Sequence, residues 1–304
     1  MSTFQSGFAA IVGRPNVGKS TLMNNILGTK IAIVTPKPQT TRNKIAGIAT
    51  YDDCQVVFLD TPGIHEARSN LNRVMVDVAY SSLVEADTVC FIIDAFAETK
   101  RSGMHPGNRE ILVRLKESAL PVILVVNKID LVRKELMLPL IELYNEKLAP
   151  TAIIPISALN GDGIDRLLNQ VRELMPAGEA YFPVGTLTDR SLSFLLTELV
   201  REQVFLQTHQ EIPYSVAVSI DLATEMEGNT PPLFHVVASI HVERTSQKGM
   251  VSGKQGRMIK SIGQAARIEI QAYLKRKVFL ELHVRIEKEW TRSLKGLHKV
   301  GYET

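Results

Sequence analysis

The sequence predicts an α/β domain, with a mostly parallel sheet and helices on both faces, followed by a smaller α+β domain. In residues 1–178, continuous apolar runs such as Phe8–Val12 and Val122–Val126 alternate with stretches of helical spacing. Strands buried on both faces of a parallel sheet have this uniform apolar character. In residues 191–304, three stretches instead alternate apolar and polar residues, as half-buried strands do. Proline and glycine between the halves predict a linker at residues 179–190.

Each predicted element follows from local periodicity and from the turn residues around it. In the first half we expect strands at residues 7–12, 45–51, 55–59, 88–93, 121–126 and 152–156, and helices at 19–27, 70–85, 108–117, 136–147 and 163–174. In the second half the predicted order is helix, strand, strand, helix, helix, strand, at residues 191–208, 214–222, 234–243, 256–261, 264–274 and 278–289.

Composition and charge narrow the class of protein. No stretch of the 304 residues approaches the apolar length of a membrane span, and Met1–Ser6 lacks the basic start of a secretory signal. The two cysteines, Cys54 and Cys90, lie in apolar runs, which predicts reduced core residues and a cytosolic compartment. Residues 248–277 hold eight basic residues and one acid, which indicates an anionic partner for that segment.

A glycine loop lies between the first predicted strand and the first predicted helix. It reads Gly13-Arg14-Pro15-Asn16-Val17-Gly18-Lys19-Ser20-Thr21. The spacing G-x-x-x-x-G-K-S is typical of a loop whose backbone N–H groups surround a phosphate. Lys19 is expected to reach the β- and γ-phosphates, and the Ser20 hydroxyl is expected to bind Mg²⁺.

Three further polar stretches follow predicted strands, at the edge of the sheet where α/β proteins bind ligands. The first is Asp60-Thr61-Pro62-Gly63, followed by Ile64. We expect the Asp60 carboxylate to hold Mg²⁺ through water, and the Gly63 N–H to approach a γ-phosphate.

The other two stretches predict a guanine site. They are Asn127-Lys128-Ile129-Asp130 and Ser157-Ala158-Leu159. The Asp130 carboxylate can accept two hydrogen bonds from guanine N1–H and its 2-amino group, donors that adenine lacks at those positions. Asn127 would tie the pocket together, the Lys128 stem would lie against the base, and a backbone N–H of the second stretch would donate to guanine O6.

These motifs together resemble the translation-factor-related class of P-loop GTPases, which bind GTP or GDP with Mg²⁺. The resemblance implies that the loop after the first helix supplies a threonine to the metal. That loop, switch I, contains Gln39-Thr40-Thr41-Arg42-Asn43. Thr41 is the favoured ligand, and spacing leaves Thr40 open as the alternative. The resemblance also implies that Asn16 helps to bind a K⁺ ion.

Ile64 departs from the pattern of Ras-like enzymes, which carry a water-positioning glutamine directly after D-x-x-G. An isoleucine side chain can neither donate nor accept a hydrogen bond. We therefore expect slow intrinsic hydrolysis, at or below roughly 10⁻⁴–10⁻² s⁻¹. The water would be held by backbone, by another residue such as His65, or by a partner.

The second domain carries a glycine motif of its own, Gly253-Lys254-Gln255-Gly256, followed by Arg257 and Lys260. A G-x-x-G loop between two helices is the nucleic-acid-binding loop of KH domains, where glycines let the two backbones approach closely. Lys254, Arg257 and Lys260 would supply charge to phosphates. The element order resembles a type II KH domain. Trp290 is open between stacking on a base and a place in the core.

A P-loop GTPase followed by a type II KH domain resembles the bacterial Era family over essentially the whole chain. The resemblance implies a monomeric GTPase that binds the single-stranded 3′ region of 16S rRNA and acts in assembly of the 30S subunit. It also implies peripheral association with the cytoplasmic face of the inner membrane.

Two other classes of protein remain as alternatives. A GTP-driven RNA-modifying enzyme would need a reactive cysteine, and residues 91–304 contain none. A membrane-surface regulator would place the basic segment on anionic lipid.

Overall fold

The computed structural model of the chain describes residues 4–64, 70–101, 103–209, 212–226, 232–292, 296–297 and 300. The chain divides into two compact units. The first contains the described residues of 4–32, 41–64 and 72–189, and the second contains those of 33–40, 70–71 and 190–300. Within the described residues, no helix is both long and apolar enough to cross a membrane.

The first unit is built on a six-stranded sheet with the order β2-β3-β1-β4-β5-β6. Its strands are β1 (Gln5–Gly13), β2 (Ile45–Thr50), β3 (Cys54–Asp60), β4 (Thr88–Asp94), β5 (Val122–Asn127) and β6 (Ala152–Ile156). All neighbouring pairs are parallel except β2 and β3. The sheet is therefore mostly parallel, as predicted, with one antiparallel strand at its edge.

Helices connect these strands and bury their faces. They are α1 (Lys19–Leu27), α2 (Asn70–Glu85), α3 (Ala95–Thr99), α4 (Pro106–Ser118), α5 (Met137–Leu148) and α6 (Ile164–Glu173). The one-turn helix α3 was not predicted, because five residues are too short for helical periodicity to appear. The strand side chains of Ile11, Phe91 and Val125 are fully buried, as continuous apolar runs require.

The register of the parallel strands aligns their carboxyl ends. Ile11 pairs with Asp60, and Asp94 pairs with Asn127. Polar residues that are far apart in sequence therefore end neighbouring strands at one edge of the sheet. This edge positions the candidate nucleotide site.

The second unit contains a three-stranded sheet with the order β7-β8-β9. Its elements are α7 (Leu192–Gln207), β7 (Val216–Met226), β8 (Leu233–Val242), α8 (Thr245–Ser252), α9 (Arg257–Leu274) and β9 (Val278–Ile286). The β7–β8 pair is antiparallel and the β8–β9 pair is parallel. Val236, Ile240, Ile262 and Ile270 are fully buried in the core between sheet and helices.

The two helices that flank the G-x-x-G loop differ from the prediction. The first is α8, before the loop, and the second is one continuous helix, α9, where two short helices were predicted. The prediction divided this helix near Gly263, because glycine has a low helix propensity. The sequence of α8 is polar and contains Gly249, so its helical signal is weak. The order helix, strand, strand, helix, helix, strand is observed, but α8 was not predicted and both predicted helices are parts of α9.

Trp290 belongs to the core. Its ring is fully buried, and its Nε1–H donates to the Ser215 carbonyl at 3.2 Å. The alternative of stacking on a base is wrong, because no face of the ring is exposed. Both cysteines are likewise buried and unpaired, as predicted.

Residues 33–40 of the loop after α1, which end with the first two named switch I residues, belong to the second unit and pack against helix α7. Arg201 Nη2 donates to the Thr40 carbonyl at 2.6 Å, and the Val34 N–H donates to Glu202 Oε1 at 3.0 Å. Lys37 Nζ donates to the carbonyls of Phe205 and Thr208 at the end of the helix. Periodicity does not predict these contacts, because they join residues more than 160 positions apart.

Candidate functional site

The phosphate loop joins β1 to α1 and encloses the Lys19 side chain. Lys19 Nζ donates to the carbonyls of Gly13 at 3.1 Å and Arg14 at 3.0 Å. Burial lowers the pKa of Lys19 to about 8, and the charge of Asp60 opposes that shift. The ammonium therefore lies within the loop, where the spacing predicts the phosphates of a nucleotide. The loop also contains Pro15, Asn16 and Val17, and the first turn of α1 contains Thr21.

Three oxygen-bearing side chains meet beside this loop. The Ser20 hydroxyl donates to Asp60 Oδ2 at 2.6 Å and lies 2.9 Å from the Thr41 hydroxyl. Burial raises the pKa of Asp60 to about 6, while Lys19 and Ser20 hold it down. Asp60 Oδ1 is buried without a hydrogen-bond partner among the described residues. Two hydroxyls and an unsatisfied carboxylate oxygen are ligands that suit Mg²⁺, directly or through water.

The other switch I residues face elsewhere. The Thr40 hydroxyl lies 2.6 Å from that of Thr35 and donates to the Lys37 carbonyl at 2.8 Å. Arg42 is buried, while Asn43 and Gln39 are half-buried. Of the two threonines that spacing left open, the structure brings Thr41 to the Ser20 and Asp60 side chains and directs Thr40 away from them.

The Asp60–Ile64 segment passes directly under the phosphate loop. Thr61 Oγ1 donates to the Ile11 carbonyl at 2.8 Å, and the Ile64 N–H donates to the Gly13 carbonyl at 3.1 Å. A Cβ atom added at Gly63 would lie 2.6 Å from the backbone of Pro15, so this position admits no side chain. Ile64 packs into the core and is 3% exposed. Pro62 is also buried, and His65 lies outside the described residues.

Asn127 joins the predicted guanine loop to the phosphate loop. Its Nδ2 donates to the Val17 carbonyl at 2.7 Å, and its Oδ1 accepts from the Ala158 N–H at 2.9 Å. Gly18 has φ +103°, and an added Cβ would lie 2.3 Å from Asn127 Nδ2. Glycine is needed here both for the backbone angle and for this close approach. One buried amide therefore ties three predicted segments together.

Lys128 extends back toward the phosphate loop. Its Nζ donates to the Asn16 carbonyl at 2.8 Å and to Asp94 Oδ2 at 2.6 Å. Asp130 is exposed, and its carboxylate accepts no hydrogen bond from a described residue. Ser157 and Ala158 are buried, whereas the Leu159 side chain is 76% exposed. The carboxylate that is expected to read guanine is thus open to solvent beside a fixed framework.

The G-x-x-G loop lies between α8 and α9 in the second unit. Gly253 has φ +70°, and an added Cβ would lie 2.7 Å from Met258 Cβ, so a larger residue cannot fit. Lys254, Gln255 and Arg257 are exposed, as is Lys260 on the first turns of α9. The loop therefore presents three cations and a Gly256 backbone without bulky neighbours, which suits an extended phosphate backbone.

Comparisons with known proteins identify the same two domains. A family model described as "50S ribosome-binding GTPase" matches residues 8–128, and one described as "KH domain" matches residues 211–291. GTPase Era of Geotalea uraniireducens is 50% identical over 302 residues, covering 99% of this chain and 98% of that protein. GTPase Era of Syntrophus aciditrophicus is 46% identical over 299 residues, covering 98% and 95%.

The chain belongs to the Era family of GTPases.

Two solved structures of Era align with the chain along its length. Era in complex with MgGDPNP and nucleotides 1506–1542 of 16S ribosomal RNA has a TM-score of 0.93 and 40% identity, covering 99% of this chain and all of that one. A point variant of Aquifex aeolicus Era bound to GDP·AlF4⁻ has a TM-score of 0.93 and 39% identity, with the same coverage. The predicted fold, a P-loop GTPase domain followed by a KH domain, is confirmed. This Era-family chain is a GTP hydrolase.

Sequence reasoning missed Asp94, which the structure places against Lys128 of the candidate nucleotide site. Its carboxylate pairs with Lys128, and its Oδ1 accepts from the Ala97 N–H at 3.0 Å, which caps α3. An acid at the end of a buried strand is the signal that could have identified it, as it identified Asp60. Asp94 positions the lysine whose stem is expected to lie against the base.

Proposed function

We propose that this Era-family chain is a GTP-controlled RNA-binding switch that acts on the 3′ region of 16S rRNA in small-subunit assembly. In this proposal Mg²⁺ is bound by Ser20 and Thr41, with Asp60 holding it through water. The observation that carries the proposal is the meeting of these three side chains beside the phosphate loop, with one buried Asp60 oxygen unsatisfied. The bound metal would neutralise charge on the transferred phosphoryl group.

Guanine recognition is assigned to Asp130, with a backbone N–H of the Ser157–Leu159 turn donating to O6. The support is that Asn127 fixes both segments against the phosphate loop through bonds to Val17 and Ala158. A base pocket built on fixed hydrogen-bonding groups rejects the wrong base strongly, since unmatched groups would lose their partners.

The KH-type loop is the proposed RNA contact, through Gly253–Arg257 and Lys260. One full-length structural relative holds nucleotides 1506–1542 of 16S rRNA, which belongs to the small subunit. The GTPase family model carries a large-subunit name, but it matches residues 8–128 alone. A full-length relative is the better guide to the RNA, so the small subunit is proposed.

Two adjacent switch I residues support coupling between nucleotide and RNA. Thr41 lies beside Ser20 in the first unit, while the Thr40 carbonyl accepts from Arg201 in the second. Because Thr40 and Thr41 share a peptide bond, a displacement of one on hydrolysis displaces the other. A two-state segment of this kind can carry the coupling.

The deciding experiment measures the affinity of the full chain for a 16S rRNA 3′-end oligonucleotide. One sample contains GDP and Mg²⁺, and the other contains a non-hydrolysable GTP analogue and Mg²⁺. We expect the affinities to differ by at least about fivefold, the lower range of ordinary coupling energies. Equal affinities would remove the switch, and binding of a scrambled RNA with the same affinity would remove the assignment to this RNA.

Two finer assignments complete the proposal. Ile64 lies in the core, so the attacking water must be held by other groups, and intrinsic hydrolysis is expected to be slow. Asn16 is proposed as a K⁺ ligand, and hydrolysis at equal rates in K⁺ and Na⁺ would contradict this assignment.

We expect the chain to be a monomer. Peripheral binding to anionic lipid is the competing use of the basic second unit, and vesicle pelleting beside an RNA gel shift separates the two.

A further inference from the structure

A basic cleft opens beside α3 in the GTPase unit, and its lining residues are none of those assigned to the nucleotide. Its volume is about 340 Å³. It is lined by Lys100, Arg101, Gly103, Met104, Pro106 and Arg109. Met104 is 6% exposed and contributes apolar surface to the lining, while the three cationic side chains are exposed. The cleft thus combines some apolar surface with three positive charges.

The three cations of the cleft form no ion pair with an acid among the described residues. Some other cations of the same unit are paired, as Lys44 is with Glu85 and Arg172 with Asp53. Three charges of one sign in one cleft repel each other, and no carboxylate among the described residues forms an ion pair with them. An external anion bound there would remove this repulsion.

Glu98, the acid beneath the cleft, is already occupied by other groups. Its carboxylate is 3% exposed and accepts from the Tyr144 hydroxyl at 2.9 Å, from Asn108 Nδ2 at 3.0 Å and from the His105 N–H at 3.2 Å. The Arg14 guanidinium lies 3.8 Å from it. Its negative charge therefore serves buried donors and the phosphate loop rather than the rim of the cleft.

Helix α4 begins beside the cleft, but its first N–H groups do not face an open ligand site. His105 Nδ1 accepts from the Gly107 N–H at 3.0 Å, and the His105 carbonyl accepts from the Asn108 and Arg109 N–H groups. Burial and the charges of Arg14 and Arg101 lower the pKa of His105, which keeps this nitrogen an acceptor. Anion binding would thus depend on the side-chain cations.

The composition of the rim favours a nucleic-acid backbone over other anions. Arginine forks match the two oxygens of a phosphate. Phe96 is 39% exposed, and Lys100 Nζ lies 3.6 Å from its ring centre. Lys100 covers one face of the ring, and an exposed ring beside a cation can offer its other face to a base whose phosphates the neighbouring cations neutralise. A protein acid would use the arginines but would gain nothing from the ring.

We propose that the cleft is a second RNA contact, in which Lys100, Arg101 and Arg109 bind backbone phosphates of ribosomal RNA. It rests on the proposed RNA-binding function and adds a contact outside the KH-type loop. A G-x-x-G loop holds about four nucleotides. A short RNA is expected to occupy the loop alone, and the cleft contact is expected only with an RNA long enough to extend well beyond the loop.

The test compares two RNAs on the full chain across a KCl series, a 12-nucleotide 3′-end oligonucleotide and the complete 3′ domain of 16S rRNA. We expect R101Q/R109Q to weaken binding of the long RNA by about tenfold near 0.1 M salt. The slope of log K against log salt should fall by about one to two, roughly one for each lost phosphate contact. Binding of the short RNA should stay within about twofold of the parent chain.

The matched control is K116Q/K134Q, which neutralises two exposed lysines of the same unit outside the cleft. Equal losses for this control, or no loss for R101Q/R109Q, would overturn the cleft contact. Loss of binding to anionic vesicles with unchanged RNA binding would overturn it too. K254Q/R257Q tests the KH-type loop separately: if it leaves the affinity for both RNAs intact, the proposed function fails whatever the cleft does.

A second measurement locates the RNA directly. Cys54 and Cys90 are buried, so a single exposed cysteine can be labelled selectively with an iron chelate that cleaves nearby RNA. Glu110→Cys stands beside Arg109, and Lys116→Cys lies farther along α4. Stronger cleavage of 16S rRNA from position 110, weakened by R101Q/R109Q, supports the contact. Absent or equal cleavage from both positions contradicts it.

Discussion

The Thr41 hydroxyl lies 2.9 Å from the Ser20 hydroxyl, whereas the neighbouring Thr40 hydroxyl pairs with Thr35. Two adjacent threonines thus have different roles that their spacing could not separate. Thr41 faces the side chains proposed to bind Mg²⁺, and Thr40 belongs to the packing of switch I. The difference can be measured by replacing each threonine with alanine and comparing how nucleotide binding then depends on Mg²⁺.

We expect Thr41→Ala to weaken Mg²⁺-dependent binding of a GTP analogue by about 10- to 100-fold, the range typical of lost support at a metal site. GDP binding without the metal should change little. Thr40→Ala is the matched control, and its expected effect is a loss of about 1 kcal/mol of stability from its hydroxyl bonds. A Mg²⁺ titration of nucleotide binding by each variant tests this. A larger loss of Mg²⁺-dependent affinity in the Thr40 variant would contradict the assignment of Thr41 as the ligand.

Asp130→Asn should change which base the site prefers. The asparagine amide cannot accept both guanine donors, so GDP affinity should fall by about 10⁴-fold. Xanthine carries a carbonyl in place of the 2-amino group, and the new amide can donate to it, so xanthosine diphosphate should gain affinity. Glu135→Gln, an exposed acid farther along the same loop, is the control. Unchanged preference in the Asp130 variant would exclude it from base recognition.

Arg201 and Glu198 form a buried ion pair, with Arg201 Nε donating to Glu198 Oε1 at 2.7 Å. Arg201→Ala alone should cost about 3–5 kcal/mol of unfolding free energy, because it leaves a buried carboxylate uncompensated. The double variant E198Q/R201Q removes both charges and should cost clearly less.

The double variant therefore tests the coupling between bound nucleotide and RNA affinity without a large loss of stability. It weakens the hold of α7 on the Thr40 carbonyl, so the RNA affinities measured with GDP and with a GTP analogue should approach each other. If the double variant keeps the full difference between nucleotide states, the Arg201–Thr40 bond plays no part in the coupling.

Charge neutralisation in the KH-type loop should weaken RNA binding evenly across sequences. Lys254→Gln, Arg257→Gln and Lys260→Gln should each lower the salt slope by about one. Lys277→Gln changes an exposed lysine of the same basic segment outside the loop, and its slope should stay constant. Binding isotherms across a KCl series measure this, and equal effects at all four positions would assign the attraction to overall charge.

The two cysteines should resist modification in the folded chain. Burial raises the pKa of Cys90 to about 12 and that of Cys54 above its usual range, so both are protonated thiols near neutral pH. The thiolate is the reactive form, and its fraction grows only as pH rises toward the raised pKa. A thiol-reactive dye should label two sites after denaturation and none rapidly before it. Fast labelling of the native chain would contradict this.

Local sequence patterns were enough to predict the class of both units and the residue types of both candidate sites. The G-x-x-x-x-G-K-S, D-x-P-G and N-K-x-D stretches identified the nucleotide because each motif needs particular residue types at fixed local spacing. The strands of the first sheet were predictable because both faces are buried and their residues are uniformly apolar. Helix α8 was not predictable from its sequence, because that sequence is mostly polar. The helix is stabilised by Val251 in the core and by Gln247 at its start.

Only the tertiary structure decided which residues meet across long sequence distances. The pairing of Lys128 with Asp94, the contact of Thr41 rather than Thr40 with Ser20, and the Arg201–Thr40 bond each join segments whose separation no periodicity encodes. The burial of Trp290 was decided in the same way. Local patterns report what a segment can form, whereas partners are selected by packing and by the need to satisfy every buried polar group.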